Sequence, residues 1–136
     1  MNSKCVILID QHLPVGVIAN TAAVLSLNIG KMFPQIIGHD LKDNTGDHRH
    51  GITTVAIPIL KSSESLLKEM RVKLKEHEPA LTVIDLISAT QNTKSYADYA
   101  HQYESTPVEQ LVYLGIALYG DKKIINKYTG SLGLLR

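Results

Sequence analysis

Two carboxylates beside apolar runs are the first residues in this chain whose type and position could support chemistry. Asp10 follows the β-branched and aliphatic run Cys5-Val-Ile-Leu-Ile9, and Asp85 lies in a second apolar run at residues 80–87. A carboxylate beside a small substrate can act as a general base or as a fixed negative charge. Alternatively, both side chains cap the loops or helices that follow, as aspartates at strand ends commonly do. The capping interpretation is the preferred one.

Two polar side chains interrupt an apolar helical segment. Asn20 and Thr21 lie among Ala, Val, Ile and Leu residues, and a polar group in such surroundings needs a hydrogen-bond partner. They could face a pocket beside Asp10, or Thr21 could donate its hydroxyl back to the helix. We favour the second arrangement. Cys5, in the middle of an apolar run, is interpreted as a small hydrophobe rather than a nucleophile.

Histidines and aspartates crowd one polar segment in the first half of the chain. The segment contains His39, Asp40, Asp43, Asp47, His48 and His50. His48 and His50 would share one face if a strand begins there, but the spacing matches no established metal-binding pattern or calcium loop. The default prediction is a solvated hairpin with no metal, and no cofactor is expected for the protein. Whether this loop binds a metal is a question that the sequence leaves open. The common nucleotide, hydrolase and redox motifs are absent.

The elements that must position these residues alternate along the chain. Hydrophobic patterning predicts strands at residues 5–10, 51–59, 81–87 and 111–119. Helices are predicted from Pro14 to about Lys31, over 62–76, from Ser95 to about Tyr103 and over 122–128, and residues 33–51 are expected to form a loop with a short hairpin. Alternating strands and helices favour an α/β layer fold.

The size and charge of the chain exclude several classes of protein. A chain of 136 residues is expected to form one domain, residues 1–136. The net charge of +1 argues against strong nucleic-acid binding. One cysteine and no recognisable leader predict a cytoplasmic protein, and polar residues within the uncharged stretch 13–30 argue against a membrane span. That stretch is more apolar than one sheet face requires, so we expect a homodimer.

The last part of the chain resembles the type II peptidyl-tRNA hydrolases. The matching segment starts at Tyr119-Gly-Asp and closes on Lys127-Tyr-Thr-Gly130 before a leucine tail. The resemblance implies a three-layer α/β/α sandwich whose four-stranded mixed sheet has the order 2-1-4-3, with the last strand antiparallel. Asp10 and Asp85 would then lie at one sheet edge, two strand spacings or about 10 Å apart.

The whole chain also resembles family 2000 of the domains of unknown function, a mainly bacterial family. The matching segments include Cys5-Val-Ile-Leu-Ile-Asp-Gln-His-Leu-Pro14 and Tyr113-Leu-Gly-Ile-Ala-Leu-Tyr-Gly120. No function comes with this resemblance. The hydrolase resemblance matches Thr90, Gln91 and Lys127 to positions of its motifs.

Alanine and leucine stand where the hydrolases carry a histidine and an aspartate. These residues are Ala23 and Leu86. The main hypothesis is therefore a small-ligand binder or small enzyme with a pocket at the strand ends near Asp10; its candidate lining residues are Asn20, Thr21, Thr90, Gln91 and Lys127. The alternatives are a non-catalytic homodimeric scaffold and residual hydrolysis of peptidyl-tRNA or aminoacyl-RNA. Whether the protein is an enzyme stays open, as do its substrate and its biological process.

Overall fold

The computed structural model describes residues 2–136. They contain six strands and four α-helices, joined by loops and short 3-10 turns. The strands are β1 Ser3–Asp10, β2 Leu41–Lys42, β3 His48–Arg49, β4 Ile59–Ser62, β5 Thr82–Ile87 and β6 Tyr113–Asp121. The helices are α1 Val15–Met32, α2 Glu64–Leu74, α3 Tyr96–Ser105 and α4 Lys122–Thr129. Strands β2 and β3 form the predicted hairpin, and its turn contains Gly46 with a φ of +92°.

The other four strands form one mixed sheet in the order β4-β1-β6-β5. Strand β4 runs parallel to β1, whereas β6 is antiparallel to both of its neighbours, β1 and β5. Numbered in chain order, the four strands have the order 2-1-4-3, as predicted, and the last one is antiparallel, also as predicted. The α/β class is confirmed.

Residues 51–59 do not form the predicted second strand, because that strand begins only at Ile59. The segment before it pairs with the chain after α1 instead: Gly38 N–H donates to Ile52 O, and Thr54 N–H donates to Ile36 O. Pro58, which has no N–H to donate, contributes only its carbonyl, which accepts from Ile7 N–H of β1. The β-branched pattern of 51–59 therefore reflects an extended segment bonded elsewhere.

The start of the last strand also differs from the prediction. It begins at Tyr113 rather than at residue 111, because residues 108–110 form a 3-10 turn that Leu111 N–H closes onto Val108 O. The strand then continues to Asp121. The apolar residues 111 and 112 precede the strand without belonging to it.

Both faces of the sheet carry a hydrophobic core, so the molecule has three layers. In β1, Val6 and Leu8 point to the face covered by α2 and α4, while Ile7 and Ile9 point to the face covered by α1. This burial on both sides explains why β1 is a continuous apolar run instead of an alternating one. Each full burial of such a side chain stabilises the fold by about 1.5–3 kcal/mol.

Helix α1 lies close against the sheet through one face. Its buried residues are Thr21, Leu25 and Ile29, and Gly115 of β6 provides the room for them, since a Cβ there would come within 2.7 Å of Thr21 Cγ2. By length and composition alone α1 could cross a membrane, with a mean hydropathy of 1.3. A helix with one face packed on a sheet passes the same test, so this is weak evidence for a membrane span.

Candidate functional site

Asp10 ends β1 and closes a turn. Its carboxylate is in a residue only 9% exposed, and Oδ1 accepts the N–H of His12 at 3.0 Å. The strand partner of Asp10 is Ser62 of β4. The Ser62 hydroxyl is buried and, within residues 2–136, has no hydrogen-bond partner. The hydrogen bond from His12 N–H thus supports the interpretation that Asp10 caps the turn after β1.

Asp85 is not at a strand end, contrary to the sequence-based expectation. It is the fourth residue of β5, and its carboxylate is already engaged. Arg71 Nε donates to Oδ2 at 3.0 Å and Tyr103 O–H donates to Oδ1 at 2.7 Å. Arg71 also donates to Glu78 Oε1 at 2.8 Å. Burial opposes the charge of Arg71, but these hydrogen bonds and carboxylates raise the pKa of its guanidinium above the ordinary value.

Asn20 and Thr21 do not face a common pocket beside Asp10. Thr21 is fully buried, and its hydroxyl donates to Val17 O at 2.7 Å, which is the back-bonding predicted from the sequence. Asn20 is exposed on α1. The helix thus satisfies one polar group itself and leaves the other in solvent.

Lys127 lies far from Asp10. The neighbouring Asn126 accepts a hydrogen bond from Lys4 Nζ at 2.7 Å, at the beginning of β1. Asp10 lies at the other end of the same strand, about 20 Å away at 3.3 Å per residue. Lys127 itself is exposed and lies over the ring of Tyr128, 5.5 Å from its centroid. The predicted place of Lys127 in the lining of a pocket near Asp10 does not fit this position.

Thr90 and Gln91 lie in a 3-10 turn that directly follows β5. Gln91 is exposed, whereas Thr90 is half-buried and lines a groove along the outer edge of β5. Of the predicted ligand-binding residues, only Thr90 contributes to the lining of this groove. We call the space the β5 groove; α1 forms one wall and α3 the other.

The β5 groove consists of two adjoining compartments. The first, of about 440 Å³, lies toward the carboxyl end of β5, and the second, of about 530 Å³, lies toward its amino end. The residues that line both compartments are Asn28 of α1, Ile84 and Asp85 of β5, and Tyr96 and Tyr99 of α3. These volumes suit small organic ligands.

Opposite charges mark the two ends of the groove. The first compartment contains Lys94 and Ser95, and Ser95 Oγ caps α3 by accepting Asp98 N–H, so the positive end of that helix faces the same compartment. The second compartment contains Glu104 and Glu78, of which Glu78 is paired with Arg71. Ser95, the residue at which the sequence predicts this helix to begin, is its N-cap.

The floor of the groove is an open strand edge. Ile7 N–H of β1 donates to Pro58 O, toward β4, so by alternation through the register of β1 and β6 the main-chain groups of Thr82, Ile84 and Leu86 face β6. Those of Val83, Asp85 and Ile87 therefore point outward. Ile87 N–H donates to Tyr99 Oη at 3.0 Å. For Val83 and Asp85, no atom within residues 2–136 pairs with the outward N–H and C=O.

Tyr99 keeps a hydrogen-bond donor available in the groove. Its oxygen accepts from Ile87 N–H, and its own proton has no acceptor within residues 2–136. Burial, the largest influence, raises the pKa of Tyr99 above the ordinary value, so the phenol stays protonated at neutral pH.

Sequence reasoning missed most of this groove. The available signal was the spacing of Tyr96, Tyr99 and Tyr103, which at three and four residues apart form one face of α3. The ring centroids of Tyr96 and Tyr99 lie 6.4 Å apart, and those of Tyr99 and Tyr103 lie 6.1 Å apart. Lys94, directly before the capping serine, carried no signal of its own.

Comparisons with known proteins concern the fold and the family. The model of the DUF2000 family, described as proteins of unknown function, matches residues 3–136. A solved structure of a protein of unknown function from Agrobacterium tumefaciens is 21% identical, covers 98% of each chain and has a TM-score of 0.90. No curated protein matches the chain. At this identity the structural likeness concerns the fold alone.

Proposed function

Because this chain belongs to the DUF2000 family of proteins of unknown function, we propose its function from its own geometry: the β5 groove binds a short extended peptide or peptide-like acid. The observation that carries the proposal is the open edge of β5. The outward N–H and C=O groups of Val83 and Asp85 have no partner within residues 2–136, yet they line a groove instead of a flat surface. An extended amide backbone satisfies such an edge by adding a strand.

The charges at the two ends give the ligand a direction. A terminal carboxylate fits the compartment with Lys94 and the amino end of α3, and a terminal amine fits the compartment with Glu104. Since Lys94 lies toward the carboxyl end of β5, a zwitterionic peptide in this orientation runs parallel to β5.

Side chains on the walls supply contact area. Tyr96 is 84% exposed and forms one wall with Tyr99. Val24 on α1 faces them across the groove, and Asn28 offers an amide. Aromatic rings with a polar end suit peptide ligands, because they contribute apolar area and a hydrogen bond together.

The lining favours binding over turnover. The lining of the two compartments contains no histidine or cysteine within residues 2–136. Its best-placed carboxylate, Asp85, already accepts from Arg71 and Tyr103, so it is not available as a base. A binder of small ligands, one of the two forms of the main hypothesis, is the form that these contacts support.

The test measures the binding of matched short peptides by thermal melting and by calorimetry. A peptide with a free carboxyl terminus should raise the melting temperature of the wild type. Its C-terminal amide should bind about tenfold more weakly, since a charge-assisted contact is worth roughly 1.5 kcal/mol. An analogue with N-methylated amides should lose binding, because it cannot donate to the edge of β5.

Variants of the protein locate the site. Lys94→Gln and Tyr96→Ala should each weaken binding of the free-carboxyl peptide, whereas Lys123→Gln on α4 should leave binding unchanged. All three residues are exposed, so the folded state should tolerate each change. Equal binding of the N-methylated and unmodified peptides would refute strand addition, and no melting shift with any peptide of a broad panel would refute the proposed function.

A homodimer through α1 is the second candidate function, the scaffold alternative. Its basis is the face of α1 opposite the sheet, where Ala19, Ala23 and Leu27 are exposed and spaced four residues apart. Leu27 is 78% exposed, and Lys31 is the one charged residue of the helix. Small side chains let two helices approach closely. We therefore propose that α1 of a second copy of the chain packs against this face.

Sedimentation tests the dimer. Wild type should sediment as a dimer at micromolar concentration and Ala23→Arg as a monomer, because the arginine blocks close approach. Val72→Arg, on the exposed face of α2, is the control that should stay dimeric. A wild-type monomer refutes the dimer, and a monomer that co-sediments with phospholipid vesicles would assign this face of α1 to a membrane.

We also propose that the fold is of the type II peptidyl-tRNA hydrolase kind and that the protein is cytoplasmic. The sheet order and the antiparallel last strand support the first, and the free, buried Cys5 is compatible with the second. Residual hydrolysis has less support: Ala23 is exposed on α1 and Leu86 is buried, and neither can polarise an ester or activate water.

A further inference from the structure

Three side chains with metal-binding atoms converge on the hairpin formed by β2 and β3. Asp40 Oδ2 lies 3.1 Å from His48 Nε2 and 3.6 Å from His50 Nδ1. One donor atom from each of the three residues lies within 4.8 Å of the others. The sequence predicted that this segment is a solvated hairpin, and its spacing alone gave no metal site.

Two of the three donor separations, those from Asp40, fit a transition-metal ion, and the histidine donors, within 4.8 Å of each other, need a side-chain adjustment to complete the set. In a tetrahedral zinc centre with bonds of about 2.0–2.1 Å, neighbouring donor atoms are about 3.3 Å apart. The two separations from Asp40 lie on either side of this value. Two imidazoles and one carboxylate form a donor set that suits zinc, copper or nickel better than magnesium or calcium, which prefer oxygen ligands.

The hairpin register brings the three ligands together. Lys42 pairs with His48 and Leu41 pairs with Arg49, so Asp40 comes opposite His50 when the register is continued. His48 begins β3 and His50 directly follows that strand, two residues on, so their side chains share a face where the chain stays extended. The convergence follows from the pairing of two strands and not from a loop that merely contains many polar residues.

Bonds to Asp43 hold the hairpin closed. Its Oδ1 accepts the N–H groups of Thr45 and Asp47 and the hydroxyl of Thr45, and its Oδ2 accepts from Arg49. The hydrogen bond from the Thr45 hydroxyl, the largest influence, and the one from Asp47 N–H lower the pKa of Asp43 to about 2. The turn therefore keeps its hydrogen bonds throughout the neutral range in which histidines bind metal.

A second contact orients the carboxylate of Asp40. Its Oδ1 accepts Gly51 N–H at 2.9 Å, which leaves Oδ2 directed toward the two imidazoles. Gly51 is needed here, because a Cβ at this position would overlap the carbonyl oxygens of Gly38 and His39. Such outer contacts are typical of carboxylates that bind metals, since they fix the ligand before the ion arrives.

We propose that Asp40, His48 and His50 form a binding site for a divalent transition-metal ion, with zinc as the first choice. All three side chains are exposed, so solvent or another ligand completes the coordination and the ion exchanges freely. The site is separate from the β5 groove: none of its three residues lines either compartment.

The experiment is calorimetric titration of the full chain, freed of any affinity tag and washed with chelator, with zinc chloride at neutral pH. One zinc ion per chain should bind in the micromolar range, and cobalt(II) should give the visible absorption of a low-coordinate nitrogen and oxygen site. Magnesium and calcium should give no binding heat.

Matched variants assign the ligands. Asp40→Asn, His48→Ala and His50→Ala should each weaken zinc binding by about tenfold or more. Asp47→Asn in the same loop and His101→Ala on α3 should leave it unchanged. Because the hairpin is exposed, the circular dichroism and the metal-free melting temperature of all five variants should match those of wild type.

Two results would overturn the site. One is the absence of zinc binding to wild type at micromolar concentration, in which case the three side chains are ordinary ion pairs. The other is equal zinc affinity in the three ligand variants and the two controls, which would place the binding elsewhere on the chain.

Discussion

At the scale of single residues, the cluster around Arg71 is where the structure most changes the interpretation drawn from the sequence. Arg71 connects α2 to Asp85 of β5 and to Glu78, which precedes that strand. The side chain of Asp85 is 8% exposed and that of Arg71 is 18% exposed, so both charges are largely removed from water. A carboxylate in this environment needs its partner, since an unpaired buried charge is costly.

Replacing Arg71 tests this interpretation. Arg71→Met should lower the free energy of unfolding by about 3 kcal/mol, because it leaves Asp85 and Glu78 without their shared cation. Urea unfolding followed by circular dichroism measures the change. Lys73→Met is the control: Lys73 pairs with Glu69 on the exposed face of α2, so its loss should cost less than about 0.5 kcal/mol. A similar loss in both variants would show that the Arg71 cluster has no special weight.

Asp10 provides a second test at this scale. Asp10→Ala removes the acceptor of the His12 N–H and should lower the stability by about 1 kcal/mol, as losing a capping residue does. Ser62→Ala, in the strand partner of Asp10, removes a buried hydroxyl that has no partner in the described part of the chain, so it should be neutral or stabilising. Both variants should bind ligands of the β5 groove as wild type does. A large loss of ligand binding in Asp10→Ala with unchanged stability would show instead that Asp10 belongs to the ligand-binding site.

At the scale of elements, helix α3 determines what happens to the edge of the sheet. An edge strand with unpaired main-chain groups invites contact with other chains, and proteins usually cover it. Here Tyr99 of α3 covers only the end of β5, by accepting from Ile87 N–H. The remaining edge lies in a groove between two helices, so an incoming segment must fit between them. Coverage by α3 therefore limits access to this edge to segments that fit into the groove.

The packing of α1 on the sheet yields a prediction from two glycines. Gly115→Ala places a Cβ 2.7 Å from Thr21 Cγ2 and 2.9 Å from Leu8 O, so α1 must shift. We expect a loss of about 1–3 kcal/mol. Gly30→Ala, within α1 and with no atom closer than 4 Å to the added Cβ, should gain about 0.5–1 kcal/mol from helix propensity. Chemical denaturation distinguishes the two, and equal effects would contradict the close approach.

At the scale of the whole molecule, charge limits the partners. The 14 basic and 13 acidic side chains leave a net charge of +1, and within residues 2–136 four of the basic ones are paired with carboxylates, as Arg49 is with Asp43 and Lys73 with Glu69. A protein that binds nucleic acid tightly neutralises many phosphates at once. The even balance of charge argues against such an interface.

The corresponding prediction concerns transfer RNA. Electrophoretic mobility with tRNA at low and at physiological salt should show, at most, weak binding that disappears as salt increases. The hydrolysis of peptidyl-tRNA should stay at the uncatalysed rate. Submicromolar affinity at physiological salt would show that the basic side chains form a patch despite the low net charge.

The sequence by itself determined the α/β class of the fold and most of its elements. The strand at Cys5–Ile9, the helix over residues 62–76 and the helix that starts at Ser95 were predicted from local patterns, and the structure confirms these elements. The strand order was also predicted, although it came from a resemblance instead of periodicity. The failure at residues 51–59 has a physical reason, since an extended segment looks the same whichever neighbour accepts its hydrogen bonds.

Only the tertiary structure decided what the polar residues do. Asp85 appeared to be a candidate catalytic group until the fold brought Arg71 and Tyr103 onto its carboxylate, 14 and 18 residues away in the chain. Asp40 and His50 became neighbours through strand pairing, and the groove arose because α1 and α3 flank an edge left open. Local patterns report which side chains avoid water, whereas chemistry depends on distances of about 3 Å between residues far apart in sequence, and those distances exist only after folding.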